Sequence, residues 1–486
     1  MTFMMFFVLF NYTVLRNTKD ALVVTAVGPE VIPFLKGVVI MPCAILFVGI
    51  YATLSNSMKK ESLFYGGVSA FLIFFLIFAL FLYPYRHILE PSAETVASLK
   101  MKFPHFQHFF SIIEVWTLSL FYIFSELWGT IILGLLFWQF ANQITKTSEA
   151  KRFYSMFGFL GHLALVLAGL SIKKFCAIQR EAGGDAGSCS VYLNALVVSV
   201  VFCGLMIMAL YAWMNKNVLT DPRYYDETQS KALSNAQKPK YTILESFKHV
   251  VTSKYIGLIA ILVLGYGIAN NLAGLLWKRQ LKLQYPSAIE YGEFMGNFSI
   301  VTGFVTVILI FFFKGIIPKF GWFRGAIITP LVLAITCSAF FTFIVFGDVL
   351  TPFLNPLNLT PLMLVVIIGS TQQVLSKCSK YSMFDPSKEM AYIPLDENLK
   401  VKGKAAVDVI GHSLGKASGG YISGGLLILT AASDLMIIAP YLMSIVVVVV
   451  TIWILAVVKL NKMYSNLVLE EEVKDKKRID SIINAS

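Results

Sequence analysis

A lysine stands inside an apolar run in KVKGKAAVDVIGHSLGKASGG, residues 400–420. The run continues as YISGGLLILTA, which puts Lys416 at membrane depth. A charge there costs roughly 2.5–3.5 kcal/mol on insertion scales and marks a functional site by default. A compact ammonium in such a place is a point-charge partner for an anion, phosphate above all.

Other charges share this property. Lys36 lies in VIPFLKGVVIMPCAILF and Glu126 in the middle of FYIFSELWGTIILGLLFW. Arg16, Lys19 and Asp20 fall toward one end of the first apolar run, and Glu114 near the start of the fourth. Each could instead snorkel to the interface or pair within the bundle. Lys36 and Lys416 come from opposite halves of the chain and can face one cavity. Glu126 can hold a lysine charged while that cavity is empty and exchange it with substrate. A carboxylate that loses its partner in apolar surroundings tends to take up a proton, so Glu126 could also couple transport to protons. Asn270 and Asn271, in GYGIANNLAGLLW, are adjacent amides at membrane depth, a type suited to reading a base edge. Lys278 follows them as a candidate for phosphate binding or gating. Trp128, Phe137, Trp138, Phe140 and Trp277 are candidates to stack on a base. Small-residue stretches such as GFLGHLALVLAG (158–169) let helices approach closely.

The composition says what must position these groups. The 486-residue chain is 57% hydrophobic and 14% charged, with mean hydropathy +0.72. Soluble domains are about 25% charged, so an integral membrane protein is expected. Spanning helices need about 20 mostly apolar residues. Twelve candidates lie near 1–27, 30–54, 62–84, 108–141, 153–173, 191–214, 254–278, 291–314, 322–347, 359–382, 402–430 and 435–459. The polar stretch after Lys216 divides them six and six. The expected organisation is an N-terminal half (1–215), a linker (216–253), a C-terminal half (254–460) and a tail (461–486). The fold class is thus an all-α membrane protein of major-facilitator type, with the substrate site near the midplane between halves. Lys and Arg are denser in the loops on the side of the linker and tail, which puts both termini in the cytoplasm.

Several classes are excluded. The net charge of +12 is mostly this positive-inside bias and also suits an anionic substrate. No basic face outside the spans is large enough for nucleic acid. There is no P-loop and no metal-spaced His/Cys set, so no enzyme, cofactor or metal is expected. HSLGKASGG fails as a Walker motif because it lies in a spanning helix rather than after a strand. Cys176 and Cys189 flank one polar loop and are either paired or simply small apolar residues. The first apolar run begins at Met1 with no basic region or cleavage site before it. No cleavable signal is expected, and a short N-terminal segment is expected to precede the run.

The stretches NYTVLRNTKDALVVTAVGPEVIPFLK (11–36), SELWGTIILGLLFWQFANQITKTSEAKRFY (125–154), LWKRQLKLQYPSAIEYGEFMGNFS (276–299) and SKYSMFDPSKEMAYIPLDENLKVKGKAAVDVIGHSLGKASGG (379–420) carry a resemblance. Over nearly its whole length the chain resembles the nucleotide transporters, or ATP/ADP translocases, of plastids and obligate intracellular bacteria. The resemblance implies a twelve-helix carrier, and a monomer in a bacterial inner membrane is expected. It imports ATP in exchange for ADP and phosphate or, in divergent members, other nucleotides with protons. The family's set of intramembrane charges falls on Lys36, Glu126 and Lys416. The chain departs from the family pattern at Gly274, where the pattern has glutamate, and at Asn17 and Asn297, where it has aspartate. His162 and His412 stand where the pattern has no histidine and add groups that titrate near neutrality. These departures point to altered specificity, with proton-coupled net import as the alternative. A receptor that binds nucleotide without moving it is the reading from a different class.

Overall fold

The computed structural model describes residues 1–144, 147–183, 189–220, 253–313, 316–347, 360–395, 407 and 412–483. Among them the regular structure is helical, with no strand. Helix α1 spans Thr2–Val27, α2 Pro29–Tyr51, α3 Lys60–Leu82 and α4 Trp116–Ala141. They are followed by α5 Thr147–Glu181, α6 Ser190–Asn217, α7 Lys254–Gln284 and α8 Ala288–Phe313. Then come α9 Trp322–Val345, α10 Pro361–Ala391, α11 His412–Thr430 and α12 Leu435–Ile483. An all-helical answer is what the bilayer demands, because each helix satisfies its own backbone polar groups.

Ten of these helices are long and apolar enough to cross a membrane. The other two are α1 and α11. α1 has 26 residues but carries Arg16, Lys19 and Asp20; the apolar part of α11 is Ala417–Thr430. Each expected segment thus contains a helix among the described residues, but charge in α1 and a short apolar stretch in α11 leave ten that are long and apolar enough to span. Large apolar side chains face outward, among them Phe312 at 77% and Ile335 at 70% exposure, as lipid contact requires. The expected span 108–141 is broken: Val115 leaves helical geometry (φ −119, ψ 47) and separates a short helix, Gln107–Glu114, from α4. All six cysteines are free thiols.

Four of these helices change pitch, α3 over Phe78–Leu82 and three others beside charged residues. In α2 the backbone is π-helical over Leu35–Ile40, around Lys36, and Met41 N–H reaches back to the Lys36 carbonyl. Pro42 explains the position: it donates no hydrogen bond, and its ring crowds the carbonyl four residues earlier. In α4 a π-helical stretch, Gly129–Phe137, begins just after Glu126. In α10 another spans Lys380–Phe384. Such widened turns recur at functional sites.

The described residues form two compact units. The first takes those of Met1–Pro239 with Leu275–Val307 and Gly424–Leu435; the second takes those of Lys240–Gly274, Ile308–Ser423 and Met436–Ser486. The first is built around α1, which packs on α4, α5 and α6. Apolar Val8, Val14, Leu15, Ala21 and Val24 are fully buried, and so are polar Asn11, Thr18, Lys19 and Asp20. The amides and hydroxyls are satisfied across helices: Asn11 donates to the Val200 carbonyl at 2.9 Å, and Thr18 meets the Tyr192 hydroxyl at 2.7 Å. Small residues permit close approach, as expected: a methyl added at Gly169 would lie 2.5 Å from the Gly296 carbonyl oxygen. In the second unit α9 packs on α10.

Candidate substrate-translocation site

The site begins on one face of α1. Tyr12, Arg16 and Lys19 follow one another at spacings of four and three, so they line one side of the helix. Opposite them, α4 presents Tyr122 and Glu126, also four apart. Gly129 makes the approach possible, since a methyl there would collide with the Tyr12 ring. Lys19 enters the groove with its side chain 2% exposed. Its ammonium is 2.9 Å from Asp20 Oδ1 and 3.0 Å from Glu126 Oε1. It also stands over the Tyr122 ring, 3.6 Å from the centroid.

Asp20 carries the pairing onward. Its second oxygen, Oδ2, lies 2.7 Å from Lys278 Nζ on α7. The result is a continuous ladder, Glu126–Lys19–Asp20–Lys278, from α4 through α1 to α7, all within the first unit. Burying these charges is tolerable because each has an opposite partner at hydrogen-bond distance.

Lys36, on the widened turn of α2, belongs to the same electrostatic neighbourhood. Glu126 and Asp20 act on it as opposite charges, Lys278 and Lys19 as like ones, and Arg16 adds a further like charge near Lys278. Arg16, Lys19, Lys36 and Lys278 stand against Asp20 and Glu126, a net charge of +2. The first unit therefore gathers five of the residues expected from sequence, Lys36, Glu126, Arg16, Lys19 and Lys278. It adds Asp20 and Tyr122, whose roles the sequence left unread.

The comparisons with known proteins bear on this arrangement. A model of the TLC ATP/ADP transporter family matches residues 1–464. The chain belongs to that family. It is 43% identical over 477 residues to an ADP,ATP carrier protein 1 of Chlamydia pneumoniae, covering 97% of this chain and 92% of that one. It is 44% identical to one from Rickettsia bellii, with 97% and 94% covered, and 42% identical to a chloroplastic one from Arabidopsis thaliana, with 99% and 76% covered. Among solved structures, a bacterial homologue of the iron transporter ferroportin aligns with a TM-score of 0.56 at 13% identity, covering 94% and 98% of the two chains. A POT family transporter aligns with 0.55 at 10% identity, covering 94% and 96%. At that identity they speak for the fold alone, which is of the major-facilitator type.

The other residues singled out in the sequence lie elsewhere. In the second unit, Asn270 Oδ1 accepts from the Ser376 hydroxyl at 2.8 Å. Asn271 donates to the Gly267 carbonyl at 2.7 Å and packs under Gly419. Gly274 faces the Gln373 amide, and a methyl there would come within 3.1 Å of Nε2. The unit also holds Lys380, within the apolar span of α10, which meets Asp385 Oδ2 at 2.7 Å. The flanking SKCSKYSMFDPSKE reads as a polar exit from the membrane, although α10 continues through it. His162 is buried, with Gly303 pressed against its carbonyl where α5 meets α8. The side chains of Lys416 and His412 lie outside the described residues.

Four of the five proposed base-stacking aromatics need correcting; the fifth, Trp138, is half-buried. Trp128, Phe137, Phe140 and Trp277 are buried. Trp128 donates to the Val8 carbonyl at 3.3 Å and meets Phe71 edge-on. Trp277 packs 4.9 Å from Phe298. These rings fill the core of the unit and present no face to a ligand.

Proposed function

We propose that this chain is a nucleotide exchanger, moving ATP or another nucleoside triphosphate one way against ADP and phosphate the other, by alternating access. The observation that carries the reading is the net-positive cluster of Arg16, Lys19, Lys36 and Lys278 around Glu126 and Asp20, in a member of this family. A polyphosphate chain is the anion that such an excess of ammonium and guanidinium groups suits. In this reading Lys36 holds phosphate, with Lys278 and Arg16 beside it. Glu126 supplies the counter-charge that resets the empty carrier. Lys416 is assigned the same phosphate role on sequence grounds, and Asn270 and Asn271 the base. The distribution of Lys and Arg supports cytoplasmic termini, and the Chlamydia and Rickettsia relatives support a bacterial inner membrane. The carrier is assigned as a monomer that binds no nucleic acid and catalyses no reaction on its substrate.

The experiment is uptake of labelled ATP into proteoliposomes, run with a competition panel of nucleotides. Preloading with ADP accelerates entry, and a protonophore leaves it unchanged. Uptake that ignores preloading and collapses with the protonophore would replace exchange by proton-coupled import, for which Asn17 and Gly274 stand where the family pattern has carboxylates. Binding without accumulation would leave a receptor.

A further inference from the structure

We propose that Asp20 is the residue that makes exchange obligatory: it holds Lys278 while the carrier is empty and yields it to the phosphates when nucleotide binds. The inference rests on the exchange reading above. The observations are geometric. Asp20 is 2% exposed, so water cannot replace a lost partner. Its two oxygens are divided, Oδ1 to Lys19 and Oδ2 to Lys278. Lys19 has a second carboxylate, Glu126, at 3.0 Å and an aromatic face at 3.6 Å. Lys278 is 15% exposed and is the rung that can turn toward a ligand.

The consequence follows from charge. With no nucleotide present, the Asp20–Lys278 pair fastens α1 to the last turns of α7. The Arg279 guanidinium pairs with both carboxylate oxygens of Asp434, each at 2.6 Å, and Arg180 on α5 pairs with Glu293 on α8 at 2.5 Å. These two contacts are more exposed, with side chains 17–51% accessible, and water can take over their partners. Asp20–Lys278 is the strut that water cannot rescue. An arriving phosphate offers Lys278 a stronger anion than one shared carboxylate oxygen. Asp20 then keeps Lys19, its charge stays compensated, and the strut opens without stranding a buried ion. An empty carrier lacks that replacement, so separating α7 from α1 would leave the Lys278 ammonium, only 15% exposed, without an anion. Reorientation without substrate is thereby blocked, as one-for-one exchange requires.

The test uses proteoliposomes loaded with labelled ATP and placed in nucleotide-free medium or in medium containing ADP. The wild type releases label only when ADP is outside. In Asp20→Asn the release into nucleotide-free medium rises about tenfold, within the span of coupling a single contact supplies, and exchange slows. Asp20→Glu keeps the carboxylate and stays coupled. A purely structural role would lower both fluxes together and leave their ratio unchanged, which overturns the proposal. A second measurement needs no variant: a hydrophobic carbodiimide should modify Asp20 of the wild type faster with ATP present, read by peptide mass, and a rate indifferent to ATP also overturns it. If the wild type fails to exchange at all, the exchange reading fails; if it exchanges and Asp20→Asn stays tightly coupled, only this inference does.

Discussion

Lys19 Nζ lies 3.0 Å from Glu126 Oε1, yet the two partners live in different solvents: the Lys19 side chain is 2% exposed and that of Glu126 20%. Removing one partner of a buried pair costs about 3–5 kcal/mol, because the other is left uncompensated. Lys19→Met strips a cation from both Asp20 and Glu126 and is expected to destabilise the protein by about 3 kcal/mol. Glu126→Gln leaves Lys19 on Asp20 and removes a group that water reaches, so its cost should be about 1 kcal/mol or less. Transport should fail in both. Thermal unfolding of the detergent-purified variants checks the asymmetry, and equal losses would contradict it.

Lys36 and Lys416 are predicted to fail differently from Lys19. Lys36 is half-buried on a widened turn of α2. Lys36→Ala and Lys416→Ala should each reduce ATP uptake at least tenfold, with expression and thermal stability near wild type. Arginine at 36 should restore little, because a planar fork does not replace a compact ammonium. Initial uptake rates give the answer. Normal affinity and rate in either alanine variant would remove that lysine from the site.

How much of this was legible beforehand depends on what the membrane enforces. Segments of about 20 apolar residues must be helical in a bilayer, so the ten long apolar segments could be read from hydropathy. Lys36 and Glu126 stood out because charge is costly at that depth, and Asp20 was visible with Arg16 and Lys19 as a charge in the first apolar run. Its role was not, for a local reason: Lys19 and Asp20 are sequence neighbours near the end of that run, and such a pair also reads as a hydrated helix end. It is buried because α4, α5 and α6 surround α1, a fact of packing that no single segment records. The break at Val115 was equally hidden, since Ile-Glu-Val-Trp carries no proline or glycine to announce one. Trp128 and Trp277 misled in the other direction, because a ring that fills a core and a ring that stacks on a base are the same residue type.

Gly169 offers a test of helix spacing apart from charge. A methyl there would meet the Gly296 carbonyl at 2.5 Å and Ile300 Cγ1 at 2.8 Å, so α5 and α8 must separate. Overpacking of this kind costs about 1–3 kcal/mol. Gly66 on α3 is the control, since nothing lies within 4 Å of its added methyl. Gly66→Ala should be neutral or slightly stabilising. Melting temperatures of the two variants, measured side by side, decide the matter: a Gly169→Ala protein as stable as Gly66→Ala would mean the helices are free to part.

His108 should give the protein a pH dependence on the acid side. It lies on the short helix before α4, outside the spans, and its ring Nε2 is 2.9 Å from the Ala432 carbonyl oxygen, just beyond the end of α11. The ring stacks on Phe34 with centroids 5.7 Å apart. Burial disfavours the imidazolium and lowers its pKa below 6.5, although the Ala432 carbonyl pulls the other way. A depressed folded value means the unfolded chain binds the proton more readily. The stability from neutral His108 is therefore fully present above pH 6.5 and is lost as the pH falls through the folded value. His108→Gln retains a donor for the Ala432 carbonyl and has nothing to titrate. Its melting temperature should decline less than the wild type's between pH 7.5 and pH 5. Parallel curves would show that the acid sensitivity resides in other groups.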